Sequence, residues 1–505
     1  MPSDRISPDV VIIGSGVGGS AVALQLARGG RRVLMLERGP RLPVEPQNSD
    51  AEAVFVQRRY HSREDWQTAE GQRFQPGQFY FVGGHTKFYG TAMFRLRERD
   101  FAATEHADGL SPAWPFGYAE LEPWYGLAEQ LFGVHGRAGD DPTEPWRSGP
   151  YPHPPIPHEP VIASLAERMA GLGLHPFHLP SAVDLHAGGS CVRCGSCDAF
   201  ACRHGAKGDA ETRLLGPALR HPGVAIWPET RALRLLTDER GRDIVGVEVR
   251  RQGETFTIRA PQFVLSAGAI HSALLLQRSA NSHHPRGLAN RSGCVGRHYM
   301  NHHMTGLMAL FPGQVNDTRF TKTLSLNDHY FGTADDPTPL GNLQMLGNIR
   351  EPMVRSAKPW MPRPVGRWLG AHSVDMLVMS EDLPHSDSTV RPLPDDRVEL
   401  AWRPTNLAAH RRFVARTRDL WRSLGAKAVL VHSFGVESPS HQCGTVRMGL
   451  DPASSALDPW CRAHDHPNLH VVDASFFPSS AALNPALTVA AQALRVGDRL
   501  ARAWA

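Results

Sequence analysis

Residues 9–20 read DVVIIGSGVGGS. The opening run is apolar and β-branched, the composition of a parallel strand buried on both faces. It ends on G-x-G-x-x-G, with Gly14, Gly16 and Gly19 in the three glycine positions. A helix of small residues is expected over residues 20–27, and residues 32–36 (RVLML) form a second strand. This is a βαβ unit. Gly14 permits the tight turn, Gly16 lets backbone approach a phosphate, and Gly19 lets helix close on strand. Phosphates then sit on the helix N-terminus, where unpaired N–H groups favour an anion. Glu37 ends the second strand 23 residues after Gly14, placed for the ribose hydroxyls of a dinucleotide. The loop alone does not separate FAD from NAD.

Working outward, residues 82–94 are rich in Gly and Thr and read as a loop running into a helix. Residues 139–160 are dense in proline, the mark of a surface excursion without its own core. Residues 224–258 alternate apolar and polar side chains, which predicts a small antiparallel sheet. Residues 262–265 form a buried strand, and a helix starts at Gly268. Between about 299 and 431 the texture turns to strands, loops and prolines, with a Met-rich piece from Asp375: a second domain. From His441 the nucleotide-fold character returns, with a strand into a loop over NLHVVDAS (residues 468–475) and a helix over residues 485–501.

At 505 residues the chain exceeds one ordinary core, so two interleaved domains are expected. Net charge is +4, from 54 Lys and Arg against 50 Asp and Glu, too balanced for a nucleic-acid or membrane-surface partner. No apolar run approaches the roughly 20 residues of a membrane span. The first buried strand begins near Asp9, leaving no room for a signal peptide, so a cytoplasmic location is expected. Seven cysteines, an odd number with four bunched together, fit a reduced compartment.

Several further segments, in order along the chain, resemble the glucose–methanol–choline (GMC) flavoprotein oxidoreductase family. They are VGGHTKFYGTAMFRLRERDF from Val82, WPFGYAELEPWY from Trp114, SAGAIHSALLLQRSA from Ser266, GLANRSGCVGRHYMNHH from Gly287, and HQCGTVRMG, VVDASFFP and NPALT in the last 65 residues. Only about 139–185 and 312–431 lie outside the resemblance. It implies an α/β fold: a Rossmann-type FAD-binding domain interleaved with an α+β substrate domain whose antiparallel sheet covers the flavin. The expected division is 1–110, 186–300 and 436–505 for FAD, 111–185 as a cover segment, and 301–435 for substrate.

Carried over by position, Gly14, Gly16, Gly19, Glu37 and Arg38 hold the ADP half of FAD. Gly83, Gly84, Phe88, Tyr89 and Gly90 lie against the flavin, and Ala232 offers its backbone to adenine. Ala267, Asp473 and Ala474 approach the pyrophosphate and ribityl chain, and Asn484, Pro485 and Ala486 border the ring. Some family members bind FAD covalently through a histidine after the double glycine. That position is Phe88 here and His85 is out of register, so noncovalent FAD is expected. His271 stands where a smaller or amide residue is usual, and the pattern offers no reason for it.

His441 and Asn484, 43 positions apart, match the family's catalytic pair. Chemistry supports the match independently. Oxidising an alcohol requires loss of a hydroxyl proton and transfer of a hydride to flavin N5. Neutral histidine is the natural proton acceptor, and Asn484 can donate to the same oxygen as it gains charge. Asn484 is also expected to cap the helix that Pro485 begins, aiming the helix's positive end at the flavin N1–C2=O edge.

Cys191, Cys194, Cys197 and Cys202 are spaced x2, x2 and x4. Four thiols so close can wrap an iron–sulfur cluster, although no proline follows Cys202, or a zinc ion. Free thiols or one disulfide are the alternative. Were Asp375, Glu381 or Asp382 to face the flavin, ion pairing would favour an amino-sugar substrate.

The expected activity is FAD-dependent oxidation of a hydroxyl on a sugar-like, polyol or aminoglycoside substrate. A hydrophobic alcohol such as a sterol or long-chain alcohol is the alternative substrate, and a catalytically inactive flavin-binding protein the alternative of another class. The partners expected are thus a small-molecule alcohol and an electron acceptor that no residue identifies.

Overall fold

The computed structural model describes residues 7–438 and 440–503; residues 1–6, 439, 504 and 505 of the expected FAD domain lie outside them. Strands Val10–Ile13 and Val33–Leu36 form at the centre of a five-stranded parallel sheet. Its order is Val224–Trp227, Val33–Leu36, Val10–Ile13, Gln262–Leu265, Leu469–Val471. The two N-terminal strands are buried throughout, as their unbroken apolar runs require. Helices Val17–Arg28 and Ala486–Arg502 pack together on this sheet. Gly497 permits their close approach, since a Cβ there would lie 3.0 Å from the Val22 backbone.

Two expectations need correction. Val224–Trp227 does not join the antiparallel sheet; it pairs in parallel with Val33–Leu36. Only Thr230–Thr237, Ile244–Arg251 and Glu254–Ile258 form the three-stranded antiparallel sheet. Residues 82–94 contain a single 3-10 turn, Gly84–Lys87, and no α-helix. Gly83, Gly84 and Thr91 all have positive φ, which a right-handed helix does not accommodate.

The second sheet has six strands in the order Ala428–Ser433, His303–Leu310, Ser373–Ser380, Asn342–Met345, Leu324–Leu326, Phe177–His178, antiparallel throughout. Leu307, Ala309, Val374, Met376 and Val378 point to helix Leu407–Ser423, meeting Phe413 and Trp421. Met304, Leu377 and Met379 point the other way and cluster with Leu346 and Phe434. A four-stranded sheet ties Thr389–Pro392 and Val398–Ala401 to Trp66–Gln67 and Arg73–Phe74. Among the described residues no helix is long and apolar enough to cross a membrane.

Asp375 shares the face of Leu377. Its Oδ2 accepts from the Ile349 N–H, while Oδ1 is buried without a partner. Burial pushes this carboxyl up to about 7. A carboxyl raised in the folded state costs stability increasingly as pH climbs from its unfolded value through the raised one. Asp375→Asn is therefore expected to raise the melting temperature at pH 8 and to have little effect at about pH 4. A pH-independent effect would remove the ionisation argument.

Candidate active site

The phosphate end of the site follows from three glycines. Gly14 has φ +102°, and a Cβ there would collide with the Ser266 carbonyl. A Cβ on Gly19 would collide with the Gly14 carbonyl, so the third glycine is what lets the helix close on the strand. Gly16 differs: no heavy atom lies within 4 Å of where its Cβ would be. Open space above Gly16, at a helix start with no side-chain cap, is what a pyrophosphate needs. Asp473 closes the far side. Its carboxylate accepts from the N–H groups of Gly268 and Ser475, which ties Ala267 and Ala474 to the same groove. Gly16→Leu, whose side chain enters that open space, is expected to yield a folded protein that purifies with little flavin; a native ratio of flavin to protein absorbance would contradict this.

Glu37 is buried, accepting from Ser15 N–H and Oγ–H with one oxygen and from Gly39 N–H with the other. Its remaining lone pairs are available to a ribose. Arg38 lies 3.8 Å over the Tyr80 ring and is paired with Glu64 at 2.6 Å. His271 completes this cluster, its Nε2 being 2.7 Å from the Tyr80 hydroxyl. Burial and the Arg38 charge bring His271 down to about 3, so a neutral ring serves here as a partner for Tyr80. Ala232 sits at a break in strand register beside Leu233.

Gly84 packs against Gly16, which brings the 83–90 loop onto the phosphate groove. Phe88 is stacked on Phe79 at 4.1 Å in an apolar cluster. His85 is half-buried and held by Gln78 at 2.8 Å, with desolvation taking it down to about 4.

The catalytic end converges from three parts of the chain. His441 Nδ1 is 3.0 Å from His302 Nδ1, and His302 Nε2 is 3.0 Å from the Ser480 carbonyl. A carbonyl only accepts, so His302 carries its proton on Nε2. Burial lowers both imidazoles, His441 well below the ordinary value, and both are neutral. His302 Nδ1 is then a bare acceptor, and His441 must donate to it from Nδ1. That leaves His441 Nε2 as a lone pair. Asn484 Nδ2 faces it at 3.3 Å. The carboxamide is oriented by Gln344, whose Nε2 donates to Asn484 Oδ1 at 2.9 Å.

Asn484 is not the helix cap. The helix begins at Ala486 with Pro485 in the cap position and no side-chain cap bond. The reason is that Gln344 and His441 occupy both ends of the carboxamide.

Models of the GMC oxidoreductase family match residues 178–304 and 382–493, and an FAD-dependent oxidoreductase model matches residues 9–135. The chain is 34% identical to 6'''-hydroxyparomomycin C oxidase of Streptomyces lividus, covering 99% of this chain and 92% of that one. It is also 34% identical to paromamine 6'-oxidase of Streptomyces fradiae, covering 98% and 91%. The chain belongs to the GMC oxidoreductases. It is an FAD-dependent enzyme acting on alcohol groups. Among solved structures, pyridoxine 4-oxidase from Mesorbium loti shares the fold with a TM-score of 0.67 at 21% identity, over 97% of this chain and 99% of that one.

The metal expectation for this GMC chain is not supported. Among the described residues no group of three or more His, Cys, Asp or Glu side chains is arranged to hold a metal ion. Cys194 is exposed and Cys191, Cys197 and Cys202 are half-buried free thiols. The segment is held instead by the buried ammonium of Lys207, which donates to the carbonyls of Cys197 and Phe200 on one side and Tyr89 on the other.

Asp375 lies on the sheet face of Leu377, and the other two acidic residues fall elsewhere. Asp382 is fully buried, accepting from Asn301, Trp402 and Thr405. Glu381 accepts from Ser111 and the Ala481 N–H at a separate cleft shared with Asp100 and Asn406. Sequence reading missed His302 and Gln344. The tandem histidines of GRHYMNHH were a signal for the first; nothing local marks the second.

Proposed function

We propose that this GMC oxidoreductase oxidises a hydroxyl group of an aminoglycoside or similar amino-sugar. FAD held in the groove of Gly14, Gly16 and Asp473 supplies the hydride acceptor. Binding is noncovalent in this reading, with Phe88 committed to its apolar cluster and His85 to Gln78. The observation that carries the proposal is the tautomer forced on His441. Its bare Nε2 and the Asn484 N–H converge on one point, so a single substrate oxygen can give up its proton to one while accepting from the other. His302 takes no part in the transfer; it holds the His441 ring and keeps the proton on Nδ1. Asn484 supports the oxygen as it becomes alkoxide-like, and Gln344 prevents the carboxamide from turning its oxygen inward.

The substrate class is supported by the two relatives at 34% identity, named for a paromomycin derivative and for paromamine. A second reading, a hydrophobic alcohol, is favoured by the apolar roof of Met304, Leu346, Leu377, Met379 and Phe434. Anaerobic mixing with paromamine, neutral sugars and long-chain alcohols separates them. Bleaching of the flavin by paromamine is expected; bleaching by the long-chain alcohols alone would establish the second reading.

The lowered pKa of His441 fixes the pH profile. A base already neutral at pH 6.5 gains nothing from further deprotonation. Flavin reduction should be flat above the ordinary histidine range and fall only well below it. An acid limb centred near or above pH 6.5 would show that His441 is protonated more readily than its surroundings imply.

A further inference from the structure

The cysteine-bearing segment holds no metal ligand set, yet it is tied down where the catalytic chamber should be. Lys207 is fully buried and is within 2.6–2.8 Å of the carbonyls of Phe200, Cys197 and Tyr89. An ammonium has three N–H groups, and these three contacts use all of them. The loop 197–200 is thereby stapled to the 87–90 loop.

Asp198 is the side chain this staple delivers. A Cβ on Gly90 would collide with Asp198 Oδ1 and with Lys322 Nζ, so both charged groups stand against the loop expected to carry the flavin. Asp198 Oδ2 is 2.8 Å from Lys322 Nζ and also faces the Gly347 N–H. Lys322 in turn is near enough to contribute to the lowering of His441. Gly347 follows Leu346, a member of the apolar roof. The ion pair thus lies beside the apolar roof, on whose sheet face Asp375 is also buried. Asp198 Oδ1 has no hydrogen-bond donor among the described residues.

Lys322 is buried while the Asp198 side chain is 22% exposed, so Oδ1 is open to a donor that enters. A carboxylate held against the 87–90 loop with one oxygen open in this way can accept from a donor that arrives from outside. We infer that Asp198, held in place by the Lys207 staple, is a specificity residue that accepts a hydrogen bond from a protonated amine of the substrate. The inference rests on the amino-sugar reading only for the class of ligand. It also gives the cysteine segment a role as a wall of the site.

The test is calorimetric binding to the oxidised holoprotein, using 2-deoxystreptamine as a cyclitol diamine and myo-inositol as its uncharged counterpart. The native protein should bind the diamine at least about tenfold more tightly, the scale of a charge-assisted hydrogen bond. Asp198→Asn should abolish that preference while keeping the native flavin spectrum. Lys322→Met, which removes the competing ammonium, should keep or strengthen it and serves where Asp198→Asn fails to fold. No preference in the native protein, an undiminished preference in Asp198→Asn, or its loss in Lys322→Met would overturn the inference. If paromamine fails to bleach the flavin while diamine binding still depends on Asp198, the proposed reaction falls and this site stands. Bleaching by paromamine without any such dependence would have the reverse meaning.

Discussion

His441→Ala is expected to retain its yellow flavin and to reduce it about 10²–10⁴-fold more slowly with substrate in excess, the range lost when a positioned general base is removed. The size of the effect follows from the wiring. Only His441 Nε2 is a bare nitrogen facing the Asn484 N–H. His302 cannot stand in, because its Nε2 proton is committed to the Ser480 carbonyl and its Nδ1 points at His441. Asn484→Ala should lose less, since a single donor to the developing alkoxide is removed while the base survives. The measurement is the anaerobic rate of flavin bleaching. A His441→Ala protein that is reduced at the native rate would take this residue out of the base role.

Lys207→Met is expected to destabilise the protein by about 3–5 kcal/mol, with early release of flavin on heating. Removing the ammonium leaves the carbonyls of Tyr89, Cys197 and Phe200 buried and unpaired, at about 1–3 kcal/mol each. The relief of Lys207's own burial, which lowers its pKa, offsets part of this loss. Lys207→Arg should not rescue, because a planar fork does not reproduce the converging geometry of a compact ammonium. Urea unfolding followed by flavin fluorescence reads both effects. A native midpoint would mean that the staple contributes nothing to holding the two loops together.

The features legible in sequence were those whose physics is local. Gly14, Gly16 and Gly19 announce a turn that only glycine fits, and Glu37 stands at the end of the next strand. His441 and Asn484 each open a recognisable segment. The misreadings came where distant segments decide the outcome. Val224–Trp227 (VAIW) reads together with the alternating segments that follow it, but its unbroken apolar run finds its partner in Val33–Leu36. Asn484 has the residue type of a cap, yet Gln344, 140 positions earlier, claims its oxygen. The four cysteines have the spacing of a metal loop or of free thiols, and no local pattern reveals that Lys207 ties their segment to Tyr89. Lys322 and Asp198 meet only because two sheets and a staple bring them together.

The reaction proposed here depends on one proton being in one place. Nitrogen-15 spectra of the histidine side chains at neutral pH, with the His441 signal assigned by its absence from His441→Ala, report that place directly. A neutral ring protonated on Nδ1 with an unprotonated Nε2 is the predicted result. A charged ring, or a neutral one with its proton on Nε2, would contradict it.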